Sequence, residues 1–156
     1  SMTYALACRK NHRFRDKSAH SIRNLGYVYL NYGMHWLANV LVKDTLGDSE
    51  GFVLLRAVEP VTGLHWMRRR RGRDLVGDLC SGPGRLAQAF GIDGRHHGTD
   101  LCLRGDRGFQ ARPVEPEIVA GPRIGISLAK RLPWRFSLAG NSHVSRPQPQ
   151  AVRRAK

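Results

Sequence analysis

The sequence predicts a single α+β domain in which strands outnumber helices. Its 156 residues, 41% hydrophobic and 24% charged, suffice for one hydrophobic core and are too few for two. Residues 27–32 and 52–58 are apolar runs without helical periodicity, rich in aromatic or β-branched side chains, which is typical of strands. Residues 63–71 end at a glycine and carry basic residues in their last turn, which indicates a short helix.

Five segments predict strands. In the first of them, alternation of side chains places Tyr27 and Tyr29 on one face and Tyr32 on the other. Residues 1–25 are polar and basic with little periodicity, and predict a loop or a short irregular element. The five strand segments are residues 27–32, 35–42, 52–58, 124–128 and 134–139.

Two segments predict helices. In the first, residues 63–71, Thr62 is the expected N-cap and Gly72 the expected terminating glycine. The second begins at Ser81-Gly82-Pro83, where proline suits the first turn, and carries an apolar stripe of Leu86, Ala89 and Phe90. Residues 1–145 are expected to form the domain, and residues 146–156 a flexible basic tail.

The balance of charge indicates a polyanionic partner. Lys and Arg total 26 against 12 Asp and Glu, a formal net charge of +14. Such a surplus repels itself on the surface unless a polyanion relieves it, and nucleic acid is the commonest such partner, ahead of an anionic membrane surface. The alternative is a soluble basic protein without a polyanionic partner. No apolar run reaches the roughly 20 residues of a membrane span.

The three cysteines, Cys8, Cys80 and Cys102, cannot all pair. This count favours a reducing compartment over a disulfide framework. We therefore expect an intracellular protein, in the cytoplasm of a bacterium or the nucleus of a eukaryote. His96, His97 and Cys102 are spaced irregularly for metal ligands, and we expect neither a metal nor another cofactor.

Four segments, in this order along the chain, resemble the human-type alkyladenine (3-methyladenine) DNA glycosylases. The resemblance covers roughly residues 16–145. It implies a compact domain around a curved antiparallel sheet and a monomeric enzyme that binds double-stranded DNA containing alkylated or deaminated purines. The implied reaction is hydrolysis of the N-glycosidic bond of a flipped-out purine, in base excision repair, without a cofactor. The segments are YVYLNYGMHWLAN (27–39), VLLRAVEP (53–60), DLCSGPGRL (78–86) and PRIGI (122–126) with WRF (134–136).

The resemblance also implies a pocket for the flipped base. Tyr32 matches the residue that intercalates into the duplex, and His20 and Tyr29 match walls of the pocket. Asn39 matches the position that excludes guanine by crowding its exocyclic amine. An alternative reading of the tyrosines is that they are ordinary core aromatics of a strand.

Two residues match the groups that position the attacking water. They are Arg56, through its guanidinium, and Ile124, through its backbone carbonyl. An arginine within an apolar strand is costly to bury without a partner. The alternative reading of Arg56 is therefore a structural ion pair, with Glu59 or Asp78.

The general base of the family has no match in this sequence. The family carries a Glu shortly before its His-Ser segment, whereas residues 8–12 here read CRKNH. Asp16 is the nearest carboxylate, at a spacing that does not fit. The N-terminal part of the domain is therefore expected to be incomplete. We expect lesion-selective DNA binding with slow excision, since general base catalysis is worth about 10²–10⁴-fold.

Two other functions remain open. One is a catalytically impaired relative that recognises damaged or distorted duplex DNA without cleaving it. The other is a basic RNA-associated or ribosome-associated protein.

A set of basic residues and one helix start are candidates for phosphate contacts. The Ser81-Gly82 turn offers backbone N–H groups and the positive end of a helix dipole. The alternative for the arginine cluster is a solvated basic helix end. The basic candidates are Arg68, Arg69, Arg70, Arg71, Arg73, Arg85, Lys130, Arg131 and Arg135.

Overall fold

The computed structural model describes residues 6–9, 25–43, 50–101, 108–109 and 116–144, and the backbone alone at residues 6–9, 43 and 50. These residues form a six-stranded sheet in which every described pairing is antiparallel, in the order β2-β3-β4-β1-β6-β5. The α+β class is confirmed. The strands are β1 (Leu6–Arg9), β2 (Gly26–Asn31), β3 (His35–Lys43), β4 (Glu50–Leu55), β5 (Ile118–Gly121) and β6 (Arg135–Leu138).

Three short helices lie on one side of the sheet, where α3 packs on β3 and β4, and α1 and α2 pack against α3. They are α1 (Leu64–Arg71), α2 (Val76–Leu79) and α3 (Pro83–Phe90), and a 3₁₀ turn follows at Gly94–His96. Within the described ranges, no helix is long and apolar enough to cross a membrane. The core lies between these helices and the alternate residues of β3 and β4 that point toward them. Its buried members are Ala38, Val40, Leu55, Val58, Met67, Leu79, Cys80, Leu86 and Ala89.

The opposite face of the sheet carries the residues of interest, and the strand registers align them in one row. Tyr27 is paired with Asn39, Asn39 with Leu54, and Leu54 with position 7 of β1. Position 7 is paired in turn with Arg135. Directly opposed residues in antiparallel strands lie on the same face of the sheet. The row therefore crosses from the edge strand β2 to β6 through the centre of the sheet.

The turn between β2 and β3 is a tight hairpin. Tyr32 and Gly33 have φ values of 49° and 68°, and the Met34 N–H donates to the Asn31 carbonyl over 3.0 Å. Positive φ at both central residues is a requirement of type I′ turns, and the register pairs Asn31 with His35, so three residues connect the strands. The prediction that Tyr32 continues the strand on the face opposite Tyr29 is therefore wrong. A residue with left-handed backbone ends the strand.

Several predicted boundaries are corrected by the structure. Residues 6–9, predicted as part of a loop or a short irregular element, form β1, one of the two central strands of the sheet. Residues 124–128 are not a strand, because Gly125 has a φ of 71° and interrupts extended backbone, and β5 lies at Ile118–Gly121 instead. The strand predicted at residues 52–58 ends at Leu55, and the Val58 N–H donates to the Cys80 carbonyl (3.4 Å) instead of to a neighbouring strand.

The two predicted helices are confirmed with one change. Gly63, in left-handed conformation, occupies the N-cap position of α1 without a side-chain cap, so Thr62 is not the cap. Gly72 and Gly91 end α1 and α3 in left-handed conformation, as glycine does at many helix ends. Leu86 and Ala89 of the α3 stripe are buried, and Phe90 packs against the core.

Candidate active site

A cavity of about 520 Å³ is lined by the face of the sheet that carries Tyr29 and Asn39 and by the start of α3. The start of α3 reaches this face beside His35, where Gly84 lies close to the imidazole. This volume is in the range of small-ligand sites. Strand residues form one wall, the N-terminal turn of α3 forms another, and the segment after β5 forms a third. The lining residues are Tyr29, Asn31, Tyr32, His35, Leu37, Asn39, Leu54, Arg56, Arg71, Gly82, Pro83, Gly84, Arg85, Gln88, Arg123, Gly125 and Ile126.

The strand wall combines the phenol ring of Tyr29, the imidazole of His35, aliphatic groups and the amides of Asn31 and Asn39. Tyr29 on β2 is half-buried, and its ring centroid lies 5.7 Å from that of Tyr27. Asn39 on β3 is buried, and its Nδ2 donates to the Tyr27 carbonyl (3.1 Å), which fixes the orientation of the amide. Leu54 on β4 completes this wall. Tyr29 and Asn39, predicted as pocket residues, therefore face one cavity. His20, the third predicted pocket residue, lies outside the described residues.

Arg56 directly follows β4 and lines the same cavity. Burial lowers the pKa of its guanidinium, and the nearby cations of Arg135 and Arg123 lower it further. Among the described residues, Arg56 forms no ion pair with Glu59 or with Asp78. Glu59 accepts a hydrogen bond from Asn141 (2.9 Å) instead. The Nε of Arg56 is buried and has no acceptor in that part of the chain.

The segment after β5 approaches Arg56 closely. A Cβ placed on Gly125 would lie 3.8 Å from an Nη atom of Arg56. Arg123 and Gly125 line the cavity, whereas Ile124 between them is not among the lining residues. Ile124 thus lies in sequence between two cavity residues, Arg123 and Gly125, that are both close to Arg56.

Tyr32 lies at the rim of the cavity and is 88% exposed. A tyrosine ring with this exposure contributes little to a core, so the alternative reading of Tyr32 as a core aromatic is wrong. The base of its hairpin is packed against α3, because a Cβ on Gly84 would lie 3.2 Å from side-chain atoms of His35. Gly84 therefore allows the hairpin and the helix start to meet.

Arg71 and Arg85 extend the positive charge of the cavity toward α3. Burial lowers the pKa of Arg71, and the cations of Arg85 and Arg73 lower it further. Arg85 donates to the Ser81 hydroxyl (3.2 Å), and Arg71 donates to the Gln88 side-chain oxygen. The described lining holds four arginines and no carboxylate. Of the predicted helix-start residues, Gly82 lines the cavity, whereas Ser81 is not in the lining and only accepts the hydrogen bond from Arg85.

The other predicted phosphate contacts are not among the residues that line the cavity. Arg68 donates to the Asp74 carbonyl (3.0 Å), Arg70 donates to the Ala89 carbonyl (3.0 Å), and Arg69 lies over the Trp66 ring (5.9 Å). Lys130 is exposed in the segment between β5 and β6. Arg135 is 2% exposed, so the prediction that it is a surface phosphate contact is wrong.

Sequence reasoning missed Arg123 as a cavity residue. Its only signal was its place in the PRIGI segment, next to Ile124. The two histidines weighed as metal ligands make internal hydrogen bonds: His96 Nδ1 lies 3.0 Å from Asp93 Oδ1, and His97 Nδ1 lies 3.1 Å from the Val28 carbonyl. Cys102 lies outside the described residues.

Comparison with known proteins places this site in a family. The sequence profile of the methylpurine-DNA glycosylase family matches residues 5–142. The chain belongs to the methylpurine-DNA glycosylase family. The segments that line the cavity on β2, β3 and β4, at the start of α3 and after β5 all lie within the matched range.

Individual relatives are bacterial and share the name "Putative 3-methyladenine DNA glycosylase". One from Rhodopseudomonas palustris BisB18 is 49% identical over 79% of this chain and 60% of its own length. One from Nitrosospira multiformis is 46% identical over 81% and 65%. One from Salinibacter ruber is 42% identical over 92% and 75%. The chain thus spans about 60% of the length of the Rhodopseudomonas relatives that it matches.

Proposed function

We propose that this chain binds duplex DNA, accommodates a flipped-out alkylated purine in the cavity, and hydrolyses its N-glycosidic bond in base excision repair. The observation that carries the proposal is the composition of one cavity, which brings Tyr29, Asn39 and Arg56 together with Tyr32 at its rim. The names of the bacterial relatives support the same reaction class.

The cavity chemistry suits an unstacked purine. Extruding a nucleotide costs a few kcal/mol, and stacking on an aromatic face recovers about 1–3 kcal/mol per base. Tyr29 offers such a face, and the amide of Asn39, fixed by its bond to the Tyr27 carbonyl, can discriminate among exocyclic groups. Tyr32, exposed at the hairpin tip, is placed to fill the gap left in the duplex.

The positive lining suits the backbone of the extruded nucleotide. Arg71, Arg85 and the backbone N–H groups at the start of α3 are donors for phosphate oxygens. Arg56, beside the turn that carries Ile124, is the candidate for holding the attacking water against the sugar. In this proposal, Arg71 and the start of α3 bind phosphate, and the wall that carries Arg56 supplies the chemistry.

A second candidate is favoured by one observation. The described lining of the cavity contains no carboxylate, and neither do residues 6–9 of β1, which pair with the cavity strand β4. A relative without a general base would recognise damaged duplex and release bases slowly or not at all. Cationic alkylated purines are good leaving groups and depend less on a base than neutral purines do.

Single-turnover release of two lesions tests the proposal. We expect slow release of 7-methylguanine from duplex DNA and slower release of hypoxanthine, because only the first leaves readily without general base catalysis. Fast and equal release of both would show that a base is present after all. Tight binding of both lesion duplexes with no release of either would support the impaired relative instead.

Replacing Tyr32 with Asn separates the role of its ring from the stability of the hairpin. Asn followed by Gly33 is a favoured type I′ turn, so we expect the free energy of unfolding to rise by about 1 kcal/mol as the left-handed backbone of a tyrosine is relieved. The affinity for a duplex with an abasic analogue should nevertheless fall about tenfold, with little change on undamaged duplex. Thermal unfolding and fluorescence anisotropy measure the two effects. Equal losses on both duplexes would contradict the wedge role.

A further inference from the structure

The segment between β5 and β6 carries an exposed apolar tip, which consists of Leu128 and the turn that follows it. Leu128 is 82% exposed, second only to Tyr32 among the large hydrophobic residues that the structure describes. Ala129, the next residue, has a φ of 54°, and the Leu132 N–H donates to its carbonyl (3.3 Å). Tyr32 and Ala129 are the two non-glycine residues with positive φ in the described ranges. Each of the two most exposed apolar side chains thus lies at a left-handed turn.

The tip is continuous with the cavity. Arg123, Gly125 and Ile126 line the cavity, and Leu128 follows Ile126 by two residues. Lys130 and Arg131 come next and are both exposed. Along the chain, an exposed apolar residue therefore separates residues of the cavity wall from two exposed cations.

A single exposed leucine needs no explanation by itself, since much of any protein surface is apolar. Leu128 differs from other exposed leucines because it follows the cavity wall closely along the chain and precedes the cations Lys130 and Arg131. A duplex whose nucleotide enters the cavity must pass close to the segment that forms the cavity wall. In a DNA groove, apolar sugar and base edges lie between two rows of phosphates. A leucine can contact the sugar and base edges, while two adjacent cations contact the phosphates.

We propose that residues 128–131 form a second duplex-binding element, which acts together with the hairpin tip at Tyr32. Leu128 packs against sugars and base edges of the minor groove beside the extruded nucleotide, and Lys130 and Arg131 bind the flanking phosphates. The inference rests on the proposed function, because it requires that duplex DNA occupies the cavity rim.

The test compares Leu128→Ala with Leu75→Ala. Leu75 is a matched control, since it is 72% exposed, precedes α2 and does not line the cavity. Affinity is measured for an abasic-analogue duplex, an undamaged duplex of the same sequence, and the single strand carrying the analogue. We expect Leu128→Ala to weaken binding to both duplexes about tenfold, the loss expected when a leucine side chain is no longer buried. Binding to the single strand should change less than about twofold, because a single strand has no groove.

Salt dependence separates the apolar contact from the ionic ones. Leu128→Ala should leave the slope of log K against log salt unchanged, whereas Lys130→Ala and Arg131→Ala should each reduce its magnitude by about 1. Equal affinities of Leu128→Ala and Leu75→Ala for duplex would overturn the inference, as would an equal loss on the single strand. If the unmodified chain binds no duplex at all, the proposed function fails as well. If only the inference is wrong, the unmodified chain still binds duplex DNA and Leu128→Ala binds it equally well.

Discussion

Replacing Arg56 with Gln is expected to slow single-turnover release of 7-methylguanine by about 10²–10³-fold, the usual effect of removing one preorganised donor from an active site. Affinity for the abasic-analogue duplex should change little, because Arg56 is assigned to the attacking water rather than to the phosphates. The folded protein disfavours the Arg56 cation, whose pKa is lowered by burial and by Arg135 and Arg123. Its removal should therefore leave the melting temperature unchanged or raise it.

Arg68→Gln is the matched control for this change. Arg68 carries the same charge but donates to the Asp74 carbonyl outside the cavity, so its removal should leave the release rate within about twofold. A loss in Arg56→Gln that appears only in affinity, with an unchanged release rate at saturation, would contradict its assignment to the chemistry. The unfolding midpoint of both variants shows whether either effect is structural.

Local sequence patterns predicted the elements that form from neighbouring residues. The hairpin strands β2 and β3, the helices α1 and α3, and β6 all carry their signals within a few residues, as side-chain alternation or terminal glycines. Strand β1 has no such signal. It is only four residues long, and its central place depends on pairing with β4 and β6, which lie far along the chain.

The sequence predicts which residues line the cavity better than it predicts the backbone geometry that positions them. Tyr29, Asn39 and Arg56 line one cavity because they occupy one face of neighbouring strands, which alternation can indicate. The place of Tyr32 depends on a turn with positive φ at a non-glycine residue, which propensity argues against. The arginines of α1 look equivalent in sequence. The structure separates Arg71, at the cavity, from Arg70, which holds the end of α3 through the Ala89 carbonyl.

The strand registers indicate where a general base would act. Position 7 of β1 is directly opposed to Leu54 on one side and to Arg135 on the other. Leu54 lines the cavity, and opposed residues lie on one face of the sheet, so position 7 lies on the cavity face. Arg135 and Arg123 lie close enough to Arg56 to lower its pKa. A carboxylate introduced at position 7 would thus enter a cluster of cations.

Ala7→Glu is therefore expected to raise the single-turnover release of hypoxanthine by about 10²–10⁴-fold, the usual worth of a general base, with a smaller gain on 7-methylguanine, which leaves readily without one. Nearby arginines should hold the pKa of this Glu below its usual value of about 4.3. The rate should then be constant near neutral pH and fall only as the pH drops through that lowered pKa. Any stability from the new charge pairs is present above the unfolded pKa and is lost over the same acid range.

Ala7→Gln is the control for this gain, since it has nearly the same size and hydrogen-bonding reach without a charge that can accept the proton of water. Equal rates for Ala7→Glu and Ala7→Gln would contradict the placement of position 7. A gain that persists when Arg56→Gln is added would show that the carboxylate acts without the water held by Arg56. We expect the gain from Ala7→Glu to be largely lost when Arg56→Gln is added, because both residues would act on one water and their effects are then far from additive.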